Sequence, residues 1–420
     1  MKSDRSKVGI VKHSALVWLA AAVGLATGCG DAVGPPITEL PRELSLAEAK
    51  LITADNAFAF KLFREVATQA PDDANVFISP LSVGMALGMA YNGAGGTTRD
   101  AMQSTLELQG MTLPEVNEAY QSLIALLQGL DPTVDFLLAN SVWYRQEITV
   151  AAAFLDNMER YFGAEVRSLD FSAPDAAGII NGWVRDNTRG RITEIVAAPI
   201  DPFTVMFLIN AVYFKGSWTY QFDRDRTHDA PFTRIDGSQR SVPLMSHGEE
   251  VPVRVYWGSG FSVVDLPYGG GAYAMTIVLP EDPAAAVPLS RTLTQHEWDS
   301  WIAAMDSTSL WVSLPKWTLE AEYTLNEVLQ ALGMDIAFAP GEADFSNMIP
   351  DYEAFISRVK HKTFIQVDEE GTEAAAVTSV EVGVTSAPPS ITVDRPFVYA
   401  IRERLSGTIL FIGKMADPRG

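Results

Sequence analysis

The sequence predicts an α+β domain with long, mostly antiparallel sheets. Two observations carry that class. Apolar residues recur at helical spacing through the first part of the chain, and from Thr204 onward the pattern changes to apolar, aromatic and β-branched runs broken by turns. No composition break divides residues 45–417, so one large domain is expected although 420 residues could form two or three.

The fold starts at Ser45-Leu46-Ala47-Glu48, a capping box followed by Leu51, Ala54, Phe58, Leu62 and Val66 at helical spacing. Asn75 to Pro80 is strand-like and meets a Ser-Pro helix start, and that helix runs to the Gly93–Gly96 loop. Thr97 to Asp100 caps a short helix, Leu113 to Leu130 is amphipathic, and Val134 to Tyr144 reads as a strand. Ile179 to Ile195 predicts a helix that stops near Gly190. Thr204 to Phe214 is an unbroken apolar run, expected to be a strand buried on both faces. Asn210 sits in its middle, where a buried amide must be hydrogen-bonded, so it either ties two strands together or pins a bulge. Strands dominate from Thr227 to Pro280, clearest at Phe261–Pro267 and Tyr273–Leu279, before helical residues up to Met305. Leu310 to Leu319 is aromatic and β-branched, Leu325 to Leu332 is a short helix ended by Gly333, and Ile356 to Val367 is a strand. Val393 to Ile401 and Thr408 to Met415 close the chain as two strands around a polar turn.

With 47% hydrophobic and 20% charged residues the chain can bury a sizeable core. A net charge of -21 repels phosphate backbones and anionic head groups, so nucleic acid and heparin-like polyanions are excluded as partners. At the N-terminus Lys2, Arg5, Lys7 and Lys12 precede an uncharged run from Ser14 to Leu25, the pattern of a signal peptide over residues 1–28. The run ends in Leu25-Ala26-Thr27-Gly28-Cys29, which resembles the lipobox of bacterial lipoproteins and makes Cys29 the expected lipidation site; ordinary secretory cleavage is the alternative. Export is expected in either case, to the bacterial cell envelope or the extracellular space, and any membrane association runs through the lipid anchor. Residues 29–44, rich in Gly and Pro, read as a tether. Cys29 is the only cysteine, so no intramolecular disulfide forms.

The run from Val367 to Pro389 stands apart. It starts as an acidic extended segment, Val367-Asp368-Glu369-Glu370, turns at Gly371, and continues without Pro, Lys or Arg until Pro388. By alternation one face carries Thr372, Ala374, Ala376, Thr378, Val380, Val382 and Val384, all small or β-branched. The pattern is a strand's and the composition a loop's. A loop that can become a strand and an ordinary edge strand or linker both fit.

Motifs for catalysis are missing. The single cysteine belongs to the export segment, His228, His247, His296 and His361 are isolated from one another without an HExxH, and no GxSxG occurs. Gly93-Ala94-Gly95-Gly96 lacks the P-loop spacing. The chain is not expected to be an enzyme, and no metal or cofactor is expected; an unrecognised hydrolase assembled in three dimensions stays open.

Seven segments, in order, resemble the serpin family: NVFISPLS at Asn75–Ser82, INGWVRDNTRGRITEIV at Ile180–Val196, LINAVYFKGSW at Leu208–Trp218, LPKWTLEAEYTL at Leu314–Leu325, ADFSNM at Ala343–Met348, HKTFIQVDEEGTEAAA at His361–Ala376, and DRPFVYAIRERLSGTILFIGKMADP at Asp394–Pro418. The resemblance covers Leu46 to Pro418 and implies a monomeric domain over residues 45–420 with three β-sheets, about nine helices and a reactive-centre loop at 371–390. By the same resemblance Ser79, Ser82, Asn210 and His361 match the shutter and Trp218 the breach. Glu369, Glu370, Gly371, Thr372, Glu373, Ala374, Ala375, Ala376 and Val377 match the hinge. The bait bond falls at Thr385-Ser386, with Val384 before it as the alternative after a one-residue slip. The resemblance further implies an inhibitor that a target serine protease attacks as a suicide substrate and that traps the acyl-enzyme by inserting its cleaved loop into the central sheet. Without Lys or Arg from Gly371 to Ser390, the expected partners are proteases with small apolar pockets, elastase-like or subtilisin-like. A non-inhibitory carrier or scaffold is the competing class within the family; such hinges tend to carry bulky, charged or proline residues, which Ala374 to Thr378 lack.

Overall fold

The computed structural model describes residues 36–371 and 389–418. The leader, Cys29, most of the hinge and the expected bait bond lie outside them. In chain order the elements are α1 (Leu46–Gln69), β1 (Val76–Ile78), α2 (Pro80–Gly93), α3 (Gly96–Thr105), α4 (Leu113–Gly129), β2 (Val134–Arg145), α5 (Ala152–Phe162), β3 (Glu165–Leu169), α6 (Ala176–Asn187) and β4 (Met206–Gly216). Then follow β5 (Asp223–Thr233), β6 (Gln239–Ser246), β7 (Val251–Trp257), β8 (Phe261–Tyr268), β9 (Tyr273–Pro280), α7 (Ala286–Thr292), α8 (Gln295–Ala303), β10 (Asp306–Pro315) and β11 (Trp317–Thr324). The chain closes with α9 (Asn326–Leu329), β12 (Lys360–Val367), β13 (Ser390–Thr392), β14 (Phe397–Glu403) and β15 (Ile409–Met415).

Local chemistry fixes the helix starts. The Ser45 hydroxyl accepts from the Glu48 N–H while the Glu48 carboxylate accepts from the Ser45 N–H, the reciprocal cap expected from the sequence. Glu48 also pairs with Arg42, and the Ile37 N–H donates to the Gly270 carbonyl at 2.8 Å, so the described end of the stretch read as a tether lies against the domain. Ser79 caps α2 ahead of Pro80, and Gly333, at φ 106°, ends the turn that follows α9.

A continuous sheet runs β1-β15-β14-β9-β8-β7-β10-β6-β5, with β13 added in parallel to β10. The strand β10 makes the corner: its first half pairs with β7 and its second half with β6 and β13. Inside this layer Arg402 and Asp265 form a buried ion pair at 2.6 Å, braced by Thr276. Two smaller sheets, β3-β2-β4 and β11-β12, complete the set.

Five expectations change. Thr97 to Asp100 do not cap the short helix but lie within its first turns: α3 starts at Gly96 after Gly95 and has no side-chain cap. The run Leu310–Leu319 is divided between two strands in different sheets: pairing with β6 continues through Pro315 to the Lys316 N–H, which donates to the Pro243 carbonyl, and from Trp317 the chain pairs with β12 instead. The strand expected at Ile356–Val367 begins at Lys360; before it, Ile356 and Val359 bond to Ala337 and Leu325 instead of to a sheet neighbour. The strand expected from Val393 starts at Phe397, after Asp394-Arg395-Pro396, and the three-residue β13 precedes it. Finally, β4 is not buried on both faces: Leu208, Asn210 and Val212 are half-buried, while Ile209, Ala211 and Tyr213 are buried. The half-buried set lies on one face of β4; separately, its edge away from β2 has no partner strand among the described residues.

Candidate functional site

The uncovered edge belongs to a slot. Among the described residues β4 pairs with β2 and β12 pairs with β11, and no ladder joins β4 to β12. Val212, Tyr213 and Phe214 of β4 line a cleft together with Phe364 and Gln366 of β12, under Thr188, Arg191 and Ile192 from the turn after α6. The Arg191 guanidinium lies 4.9 Å from the centre of the Phe364 ring. At one end of the cleft Ser217 bridges to Gly371. The strands β4 and β12 therefore run in the same direction. A segment leaving Gly371 and folding back into the cleft would run antiparallel to both.

Under the slot the predicted shutter residues come together. The Ser79 N–H donates to His361 Nε2 at 2.9 Å and the Ser79 hydroxyl donates to the Leu410 carbonyl. Ser82 bonds through its N–H to Ser79 and through its hydroxyl to the Asn210 carbonyl. The Asn210 side-chain amide donates to Asn140 Oδ1 at 2.8 Å, so it ties β4 to β2 and pins no bulge. The first turn of α2 thus links His361 on β12 to Asn210 on β4. Since Nε2 accepts, the neutral ring carries its proton on Nδ1. Burial pushes the His361 imidazole down to about 4.

The residues matched to the breach lie at the end marked by the Ser217–Gly371 bridge. Trp218 is buried, stacked on Tyr268 with ring centres 4.4 Å apart, and its indole N–H donates to the Asp368 carbonyl. The Trp218 and Phe222 N–H groups donate to the Glu370 and Glu369 carbonyls. The sequence reads 367–370 as extended, whereas here Asp368 and Gly371 pair with each other across a tight turn and both intervening glutamates are buried. The reason is their partners. Glu369 accepts from Lys316 and Thr227, each at 2.7 Å, and Glu370 is ion-paired with Arg224. Burial drives the Glu369 carboxyl up, but the bonds from Lys316 and Thr227 outweigh it and hold it below the ordinary range. Gly371 has φ 145° and lies against the Gly216–Trp218 backbone, where an added Cβ would meet the Gly216 carbonyl oxygen. Of the expected loop 371–390, Gly371 closes this turn and Ser390 opens β13; Thr372 to Val377, Val384, Thr385 and Ser386 lie outside the described residues.

Sequence reasoning missed Arg224, Thr227 and Lys316 as anchors. The charged run Asp223-Arg224-Asp225-Arg226-Thr227, set among strands without alternation, is the signal that could have pointed to a bulge with aimed side chains.

Residues 53–418 match the family model described as serpin (serine protease inhibitor). The chain is a serpin. The human leukocyte elastase inhibitor is 33% identical over 380 residues, covering 88% of this chain and all of the relative. Among solved structures, the native state of the thermophilic serpin tengpin superposes with a TM-score of 0.79 at 30% identity, covering 91% of this serpin and 96% of that chain. Human thyroxine-binding globulin in complex with thyroxine superposes equally, at 0.79 with 28% identity, over 89% of this chain and all of that one. The serpin fold places the slot in the central sheet.

His361 gives the shutter a pH signature. Its folded pKa lies below its unfolded value, so the unfolded state binds more protons between about 6.5 and 4, and stability is lost as pH falls through that window. The loss grows across that window and reaches about 3 kcal/mol only below pH 4, where both states are protonated. Urea denaturation of wild type and His361→Asn should give a stability difference that is flat above pH 6.5 and shifts against wild type down to pH 4. A difference independent of pH would contradict the assignment.

Proposed function

We propose that this serpin inhibits serine proteases of the elastase-like or subtilisin-like kind by acting as a suicide substrate. The observation that carries the reading is the slot between β4 and β12, open directly beside Gly371, from which the small-residue sequence Thr372 to Val384 departs. The protease serine attacks the Thr385 carbonyl carbon, an ester forms between them, and the Thr385–Ser386 bond breaks as the Ser386 nitrogen takes up a proton. The freed segment folds back antiparallel to both slot strands. Thirteen residues of strand span about 44 Å, enough to run the length of β4. Each new ladder bond contributes only about 0.5–1.5 kcal/mol, but pairing to two edges makes many at once. The tethered protease is carried along before water can hydrolyse the ester. Resemblance to thyroxine-binding globulin supports the carrier reading, but Ala374 to Thr378 carry no bulky, charged or proline residue that would obstruct insertion.

The leader and Cys29 support export with lipid attachment to a bacterial envelope. Cys29→Ala should not be processed normally, because a lipobox is cleaved ahead of its acylated cysteine; a released, unlipidated but normally processed Cys29→Ala protein would refute the anchor.

Mixed with elastase or subtilisin, the protein should give a denaturant-resistant complex on a gel, and trypsin should give none. Ala376→Arg places a charge on the face that enters the sheet, so it should be cleaved at the same rate without forming complex. Cleavage of wild type by every small-pocket protease with no complex would overturn inhibition in favour of the carrier reading.

A further inference from the structure

The strand β5 does not pair evenly with β6. Asp223 lies opposite Ser246 and His228 opposite Leu244, so five steps along β5 match two along β6 and residues 224–227 bulge out of the ladder. Such a bulge gives up regular pairing to re-aim side chains. This one reaches both ends of the segment that runs from the hinge to β13. On the near side Arg224 pairs with Glu370, and Thr227 with Glu369. On the far side the Arg226 guanidinium sits 5.7 Å from the centre of the Trp311 ring and bonds Asp223. The Trp311 backbone N–H donates to the Pro389 carbonyl, and Trp311 stands opposite Ser390 in the β10–β13 pairing.

The two arms differ in kind. The Glu370 side chain is 3% exposed and Arg224 is 56% exposed, so a buried carboxylate is held by a cation at the surface. For Glu370 to leave, that pairing must break. The Arg226 arm meets the far end through Trp311.

We propose that the β5 bulge is a two-ended clamp on the loop, in which Arg224 sets how fast the hinge is released and Arg226 steadies the departure of the far end. The proposal rests on the inhibitor reading and sharpens it, because the cut divides the work. Once Thr385–Ser386 is broken, the residues from Ser386 onward remain with β13 and no longer restrain the inserting part. Arg224 then acts in both the cut and the uncut chain. Arg226 acts only in the uncut chain.

Two rates decide it on wild type, Arg224→Ala, Arg224→Lys and Arg226→Ala, each first shown to unfold cooperatively. The first is the tryptophan fluorescence change that follows rapid loop cleavage by subtilisin. The second is the loss of loop cleavability when the uncut protein is held at elevated temperature. Arg224→Ala should raise both about three- to tenfold, with Arg224→Lys falling between it and wild type because the charge is kept. Arg226→Ala should raise the second rate alone. The clamp is overturned if Arg224→Ala leaves both rates unchanged, or if Arg226→Ala speeds the cut chain as well. A wild type that gains no thermal stability on cleavage would sink the inhibitor reading and the clamp with it, whereas a wild type that gains it while all variants keep pace sinks the clamp alone.

Discussion

Two neighbouring strands that face each other without pairing set the terms for the rest of this serpin. A free strand edge is a template for another strand, and proteins usually blunt or cover it. Among the described residues β4 and β12 turn unpaired edges toward one cleft. The shutter under the cleft and the breach at its end are the two fixed points. Between them lies the space that a further strand would fill.

The fixed points work by different chemistry. The shutter is neutral: serine, asparagine and an uncharged histidine pass hydrogen bonds from β12 through α2 to β4. The breach is ionic and aromatic: Trp218 stacked on Tyr268 supports a turn whose glutamates are held by Lys316, Thr227 and Arg224. A neutral network costs less to bury than charges do, although Asn210 Oδ1 is buried without a hydrogen-bond partner among the described residues. A partly exposed ion pair is weaker and easier to break. The ionic contacts thus lie at the Gly371 end and the neutral ones under the sheet.

Much of this was legible in the sequence. Asn210 stood out as an amide within an apolar run, and the residues assigned to the shutter by resemblance do converge. The capping box at Ser45–Glu48 also falls where expected. What could not be read was burial of charge. Glu369 and Glu370 look like a solvated acidic stretch because their partners lie far away along the chain, 53 residues for Lys316 and 142 for Thr227. The unpaired edge of β4 was hidden for a similar reason: an apolar run gives its strand type, while the absence of a neighbour is a property of the whole sheet. The strand β13, three residues long, is too short to show a period.

The most direct measurement is hydrogen exchange at the backbone amides of β4 and β12, before and after a single cut between residues 372 and 388. The amides that face the cleft should exchange much faster than those facing β2 and β11 in the intact protein, and should become protected once the loop is cut. Equal protection before and after the cut would contradict a slot that the loop fills.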